Sequence, residues 1–297
     1  MTRDPSVSLP TISVITPSFN QGQFIERTIR SVLDQQYPAL EYHVFDGGST
    51  DQTLTILRRY SDKLRWHSEE DRGQADAVNK GLRVASGEII GWLNSDDIYY
   101  PGALATVAAR FKADPAVDLV YSAANHIDAA DQVIAPYPTE PWDLARFCET
   151  CFFCQPAVFF RRSVVERWGY LDDRLHYCMD YEYWLRLALG GARFFYEPLV
   201  LAGSRVHPET KTLAHRVRSH AEINDVVRSK LGKTTCPWII AYAHYVVEEA
   251  FGIPPSRRKY HRPITALMVL YTSIRWNRRI SPDVRDYVRH LMREAVH

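Results

Sequence analysis

A chain of 297 residues with 46% hydrophobic and 24% charged residues can bury a sizeable core, as one large domain or one domain with an appendage. Its formal net charge of +1 gives no general attraction to polyanions, which leaves nucleic acid disfavoured as a partner. There is no run of about 18 apolar residues, and the opening MTRDPSVSLP lacks the apolar stretch of a signal peptide, so a cytoplasmic protein is expected.

Residues 11–16, TISVIT, read as a first strand, and PSFNQG turns the chain into a helix from about 23 to 36 with Ile25, Ile29, Val32 and Leu33 on one face. EYHVFDGG at 41–48 is a second strand ending in Asp46, and Ser49, Thr50 or Asp51 can cap a helix running to about Tyr60. A short strand near 64–67, the polar loop EEDRG and a helix from about 74 to 85 follow. They lead into EIIGWL at 88–93, whose length and composition are those of a strand covered on both faces. Strands alternating with such helices imply right-handed crossovers, a mostly parallel sheet, and polar sites gathered along its carboxyl edge.

That buried run stops abruptly at Asn94, Ser95, Asp96 and Asp97. Adjacent carboxylates repel unless a cation or donor groups compensate them, and a hard divalent ion such as Mg2+ or Mn2+ is the simplest compensation. The same residues ahead of Pro101 also suit a plain turn and helix cap. In DGGSTD, Gly47 and Gly48 let a planar or phosphorylated ligand approach the backbone, or merely reverse the chain. No G-x-G-x-x-G follows the first strand and no G-x-x-x-x-G-K-[ST] occurs, which argues against a dinucleotide oxidoreductase and a P-loop enzyme.

Further on, PGALATVAARFKA reads as a helix, VDLVYSA as a strand and 125–141 as a loop or hairpin. Five cysteines, an odd number, argue for reduced thiols. Cys148, Cys151 and Cys154 have the spacing of part of an iron–sulfur ligand run, but no fourth ligand stands at the expected place and Phe152 and Phe153 intervene, so buried small apolar residues are expected. QPAVFFRR returns as a strand, and MDYEYWLRLAL is a helix with Asp180 in its first turn, where carboxylates are favoured as caps. His207 in GSRVHPETKT is a structural hydrogen-bonding residue or a ligand. Residues 213–297 form successive helical segments whose basic and aromatic side chains suit a cap, a dimer face or contact with an anionic membrane surface.

The ordered stretches VITPSFNQGQFIERTIRSVLDQQYP, FDGGSTDQT and EEDRGQADAVNKGLRVASGEIIGWLNSDD resemble the inverting family 2 glycosyltransferases of the GT-A fold, from about Thr11 to about Thr212. The resemblance implies an α/β sheet sandwiched by helices over 1–212, with 213–297 as a helical extension. Pro17, Ser18 and Asn20 would line a nucleotide pocket, and Asp46 would accept from the imide of the base. Asp96 would hold Mn2+ or Mg2+ with Asp97 as a second acid. Asn94 occupies the first position of the usual D-x-D, with Ser95 beside it, and its amide would touch a ribose hydroxyl. Ala77, Val78 and Asn79 replace the common A-R-N, which leaves Arg72 and Lys80 to hold the diphosphate. Asp180 matches the catalytic base of the family's E-D motif, although Met179 replaces the glutamate and Glu182 lies one step on. His207, in the R-x-H segment, would complete the metal site, with Arg205 and Lys211 as phosphate contacts. The implied partners are a nucleotide-diphospho-sugar, uridine-linked, and a glycan or lipid-linked saccharide acceptor such as a bacterial surface polysaccharide. A homodimer is compatible with the helical extension. The departures at Asn94 and Met179 also keep open a non-catalytic sugar- or nucleotide-binding scaffold, and the nucleotide-binding architecture a sugar nucleotidyltransferase.

Overall fold

The structure, a computed structural model, describes residues 9–207, 210 and 214–294. Lys211 lies outside them. Two compact units divide the chain: the described parts of Met1–Trp142 with Phe152–His207, and those of Asp143–Cys151 with Pro208–His297. The second unit therefore includes a mid-chain segment that the expected division at 212 leaves out. The local reason is polar: Thr235 Oγ1 and Trp238 Nε1 donate to Cys148 O at 3.3 and 3.2 Å.

The first unit is built on nine strands: β1 Ile12–Ser18, β2 Leu40–Asp46, β3 Arg65–Ser68, β4 Ile89–Trp92, β5 Ile98–Tyr99, β6 Leu119–Ile127, β7 Val133–Pro136, β8 Val158–Arg161 and β9 Phe194–Arg205. Their order is β3-β2-β1-β4-β8-β6-β9-β5, with β7 paired to β6. The first four are parallel, joined by α1 Ile25–Leu33, α2 Thr53–Arg59 and α3 Gln74–Val84. Beyond them the sheet is mixed rather than mostly parallel. β8 returns antiparallel to both β4 and β6, β9 runs parallel to β6, and β5 antiparallel to β9. Four more helices, α4 Ala103–Ala113, α5 Leu144–Phe147, α6 Arg162–Trp168 and α7 Met179–Leu189, complete this part of the chain, α5 within the second unit.

Every residue of β1 is buried, and α1 buries Ile25, Thr28, Ile29 and Val32, the spacing of one helical face. α3 lies so close to β1 that a Cβ added at Gly81 would sit 2.3 Å from Ile15 Cγ2, which is why glycine stands mid-helix there despite its propensity cost. Register places Ser18 opposite Asp46 and Asp46 opposite Ser68, so three strand ends meet at one edge. That carboxyl edge is where open α/β sheets bind ligands.

The second unit packs the helices Arg216–Leu231, Cys236–Tyr245, Arg258–Asn277 and Pro282–Glu294, with Ile239, Ala243, Val269 and Val284 among its buried core. None of the five cysteines is disulfide-bonded, Cys154 and Cys178 being buried and the other three half-buried. Among the described residues, no helix is long and apolar enough to cross a membrane.

Candidate active site

The Asn94–Asp97 turn leaves β4 at the carboxyl edge and is closed by Asp97 N donating to Asn94 O at 3.1 Å. From α1, the buried Thr28 hydroxyl reaches Ser95 O at 2.9 Å and Asp97 O at 2.7 Å, fixing the turn from below. The two acids then diverge. Asp97 is 4% exposed and its Oδ1 accepts from Arg205 N at 2.8 Å. Burial, with Asp96 next to it, raises its carboxyl well above the usual carboxylate range. Asp96 keeps 22% of its side chain exposed and sets Oδ2 3.0 Å from His207 Nε2.

Asn94 is engaged on every side. Its Oδ1 accepts from Gln74 Nε2 at 2.7 Å and Trp92 Nε1 at 2.9 Å, while Nδ2 donates to Gln155 Oε1 at 2.8 Å and Asp97 Oδ2 at 3.3 Å. Both amide protons that the expected ribose contact would use have acceptors within the protein. The same network explains why an amide stands where the family pattern has an acid: a carboxylate has nothing to donate to Gln155 and adds like charge beside buried Asp97. Asn94→Asp should lower unfolding stability by about 2–3 kcal/mol without tightening Mn2+. Urea unfolding and metal titration check this, and tighter Mn2+ at unchanged stability would refute it.

Arg205 is held within the fold. As the last residue of β9 it turns inward, with a side chain at 0% exposure. Its Nε donates to Asp96 O at 2.6 Å, its Nη1 to Asp128 O at 2.8 Å and to Asp131, and it stands 4.8 Å over the Phe24 ring. Arg205 thus anchors the peptide of the residue whose carboxylate faces His207. That imidazole, 8% exposed, packs 5.0 Å from Phe24.

On the β1 and β2 side, Asp46 Oδ2 accepts from Gly48 N (3.1 Å), Ser49 N (2.9 Å) and Ser68 Oγ (2.7 Å), and Oδ1 from Ser49 Oγ (2.5 Å). Three of these four contacts fall on Oδ2 and one on Oδ1, so Asp46 shapes its own loop mainly through Oδ2. Sequence reasoning passed over Asp71. A Cβ at Gly47 would lie 2.7 Å from Asp71 Oδ2, so this glycine makes room for that carboxyl group. Burial raises the Asp71 carboxyl, with Asp76 and Asp46 adding to the rise while the Gly73 N–H and Lys80 oppose it. The only signal in the sequence was a glycine pair and an acidic loop after neighbouring strands.

Pro17 and Ser18 are buried at the end of β1, and Ser18 Oγ finds no partner among the described residues. Asn20, in a left-handed conformation, donates from its backbone to Ser49 Oγ at 2.7 Å and accepts from Thr50 N at 2.9 Å. Arg72 contacts Asp76 at 3.0 Å and Asp173 at 2.6 Å, and Lys80 contacts Glu69 at 2.8 Å. Arg72 is 70% exposed, and ion pairs of that kind hold a side chain only weakly.

Asp180 lies in the first turn of α7, half-buried, with Oδ1 accepting from Tyr181 N at 2.8 Å. Glu182 is 3% exposed and takes Arg186 Nε and Nη2, each at 3.0 Å; Arg186 in turn donates to Trp168 O and Tyr170 O. Glu182 therefore serves the packing of α7. The segment before α7 is held to α3 by Asn79, which donates to Leu171 O at 2.9 Å and accepts from Leu171 N at 3.0 Å.

The sequence model of glycosyl transferase family 2 matches residues 13–169, just over half of the chain. The chain belongs to the family 2 glycosyltransferases. This glycosyltransferase is 30% identical over 216 residues to an uncharacterized glycosyltransferase of Rickettsia typhi, covering 68% of this chain and 66% of that one. To the chondroitin synthase of Escherichia coli it is 27% identical over 186 residues, 61% of this chain and 27% of the other. It thus spans less than two thirds of either relative. Its backbone is similar to that of TarS from S. aureus in complex with UDP-GlcNAc, with a TM-score of 0.65 at 16% identity over 96% of this chain and 90% of that one. It is also similar to the mannosyltransferase PcManGT from Pyrobaculum calidifontis in complex with GDP-Man and Mn2+, with a TM-score of 0.61 at 23% identity over 99% and 82%. The fold is GT-A.

Proposed function

We propose that this glycosyltransferase moves a sugar, with inversion, from a uridine-diphosphate-linked donor to a glycan hydroxyl, with Asp180 as general base and Mn2+ or Mg2+ held by Asp96 and His207. The observation that carries the reading is the Asp96–His207 pair, 3.0 Å apart, at the carboxyl edge where Asp97 is turned inward. A partly exposed carboxylate oxygen and an imidazole nitrogen suit Mn2+, with donor phosphate oxygens and water filling the remaining positions. The UDP-GlcNAc of TarS and the GDP-Man and Mn2+ of PcManGT support a nucleotide-sugar and a metal on this fold.

The chain's own groups then have separable roles. Ser18 Oγ, buried at the end of β1, offers the nucleoside a donor or acceptor, and Asp71 is better placed than Asp46 to accept from the imide of the base. Arg72 and Lys80 exchange their carboxylate contacts for diphosphate oxygens. Asp180 takes the proton of the acceptor hydroxyl as that oxygen attacks the anomeric carbon from the face opposite the diphosphate. When bound, the metal neutralises the charge that develops on the leaving diphosphate. The acceptor we assign is a growing bacterial surface polysaccharide or its lipid-linked form.

The test is a panel of UDP-, GDP- and dTDP-sugars with glycan acceptors and Mn2+, followed by NMR of the new glycosidic bond. Consumption of a UDP-sugar with inverted anomeric configuration is expected. A retained configuration, or turnover of GDP- or dTDP-sugars alone, would contradict it.

On the second unit, Tyr260, Leu267, Tyr271 and Ile274 are all more than half exposed and fall on one stripe of the helix Arg258–Asn277. Exposed Lys259, Arg275, Arg278 and Arg279 border it. An apolar stripe edged with cations fits an anionic lipid surface, each cation contributing about 1 kcal/mol near it. The full chain should co-sediment with phosphatidylglycerol vesicles, and the double substitution Leu267→Glu, Ile274→Glu should weaken this at least about tenfold. Equal sedimentation of the variant, or a wild-type dimer that ignores vesicles, would overturn it.

A further inference from the structure

The helix Cys236–Tyr245 runs on into a single π turn, Val246–Ala250, and three side chains meet beside it. His244 and Glu248 face His261, which lies in the first turn of the helix Arg258–Asn277. One ligand atom from each, two imidazole nitrogens and a carboxylate oxygen, all lie within 4.8 Å of one another. His261 is 4% exposed, its Nε2 has no hydrogen-bond partner among the described residues, and it stops 3.7 Å from Glu248 Oε1. A buried polar atom left this way costs about 1–3 kcal/mol, so ordinary packing does not account for it. Were the group a plain His–Glu hydrogen bond, the nitrogen would lie near 3 Å from the carboxylate, by the usual range of about 2.7–3.2 Å. Single π turns of this kind recur at functional sites. A cavity of about 480 Å³ is lined by His244 and His261 together with Arg258, Arg262, Tyr287 and His290.

We propose that His244, Glu248 and His261 form a second metal site, one for a zinc-class divalent ion, with its fourth position open to this cavity. Two nitrogens and one carboxylate oxygen are a ligand set of zinc sites that keep a position free. Two imidazoles among three ligands disfavour Mg2+ and Ca2+, which take oxygen. Zinc bonds of about 2.0–2.2 Å place tetrahedral ligand atoms roughly 3.3 Å apart, so side-chain movements of about 1 Å close the site. Tyr287, its hydroxyl 2.6 Å from His244 Nε2, holds that ring beside the group. With Glu248 as the single anionic ligand the loaded site carries net positive charge. Arg258 and Arg262 line the same cavity, so the open position suits an anion, a carboxylate or phosphate oxygen.

The site shares no residue with the Asp96–His207 pair, which makes the two separable in one experiment. Metal-stripped full chain is titrated with Co2+, whose visible absorption reports four-coordinate nitrogen and oxygen ligation, and Zn2+ is then added to displace it. The band should persist in Asp96→Asn, which silences the edge of the sheet. It should require at least about 100-fold more Co2+ in His261→Gln and in Glu248→Gln, the latter keeping the side chain's shape. Zinc X-ray absorption spectroscopy of Asp96→Asn, which leaves all three ligands of this site unaltered, should count two imidazole nitrogens. No cobalt band in the unaltered chain, a band lost with Asp96→Asn, or one that survives both His261→Gln and Glu248→Gln would overturn the proposal.

Discussion

Asp180→Asn should lower kcat by about 100- to 10,000-fold while leaving donor affinity within about twofold. The substitution keeps the volume and one acceptor oxygen, so the contact with Tyr181 N at 2.8 Å can persist and α7 can keep its first turn. What it removes is the capacity to accept a proton from the attacking hydroxyl, an interaction realised in the transition state and not in the donor complex. Glu182 cannot take over, because its two oxygens are held by Arg186 at 3.0 Å each. Steady-state kinetics together with donor titration check the split. A variant that loses donor binding in proportion to rate would show that Asp180 holds the donor rather than the acceptor proton.

Asp96→Asn should weaken UDP binding in Mn2+ by at least about 100-fold, with unfolding stability changed by less than about 1 kcal/mol. The carboxylate is partly exposed and its Oδ2 meets the His207 imidazole, so the fold depends little on its charge. The peptide of Asp96 is fixed independently by Arg205 Nε at 2.6 Å, which keeps the turn in place when the side chain changes. Asp97→Asn is the informative contrast. That residue is buried and bonded to Arg205 N, so its change should move the unfolding midpoint and leave the Mn2+ dependence of UDP binding intact. The opposite pattern would exchange the roles of the two acids.

Much of the edge was legible because local pattern and tertiary fate coincide there. The continuous apolar runs of β1 and β4 and the spacing of Ile25, Ile29 and Val32 on α1 already state which faces are buried. β9 was not legible. Pro198 interrupts it, and its register on β6 jumps from Ser122↔Glu197 to Ala123↔Val200, so neither a period of two nor an unbroken apolar run survives in the sequence. β5 is two residues long and exists through its partner.

Within the site, the resemblance pointed to Asp96 and His207, and the structure brings the two side chains to 3.0 Å. The orientation of Arg205, the four contacts of Asn94 and the approach of Asp71 to Gly47 depend on pairings between residues distant in the chain. Neither local propensity nor motif spacing encodes those pairings. Asn94 is the clearest case: as a motif letter it looks like a lost metal ligand, whereas its amide donates to Gln155 and Asp97.

The most direct test of the account is calorimetric titration of UDP into the full chain and into Asp96→Asn, each with and without Mn2+. The account predicts that UDP binds the unaltered chain tightly only when Mn2+ is present, and that Asp96→Asn abolishes the difference. UDP binding that is equal with and without Mn2+, or a Mn2+ dependence that survives Asp96→Asn, would contradict it.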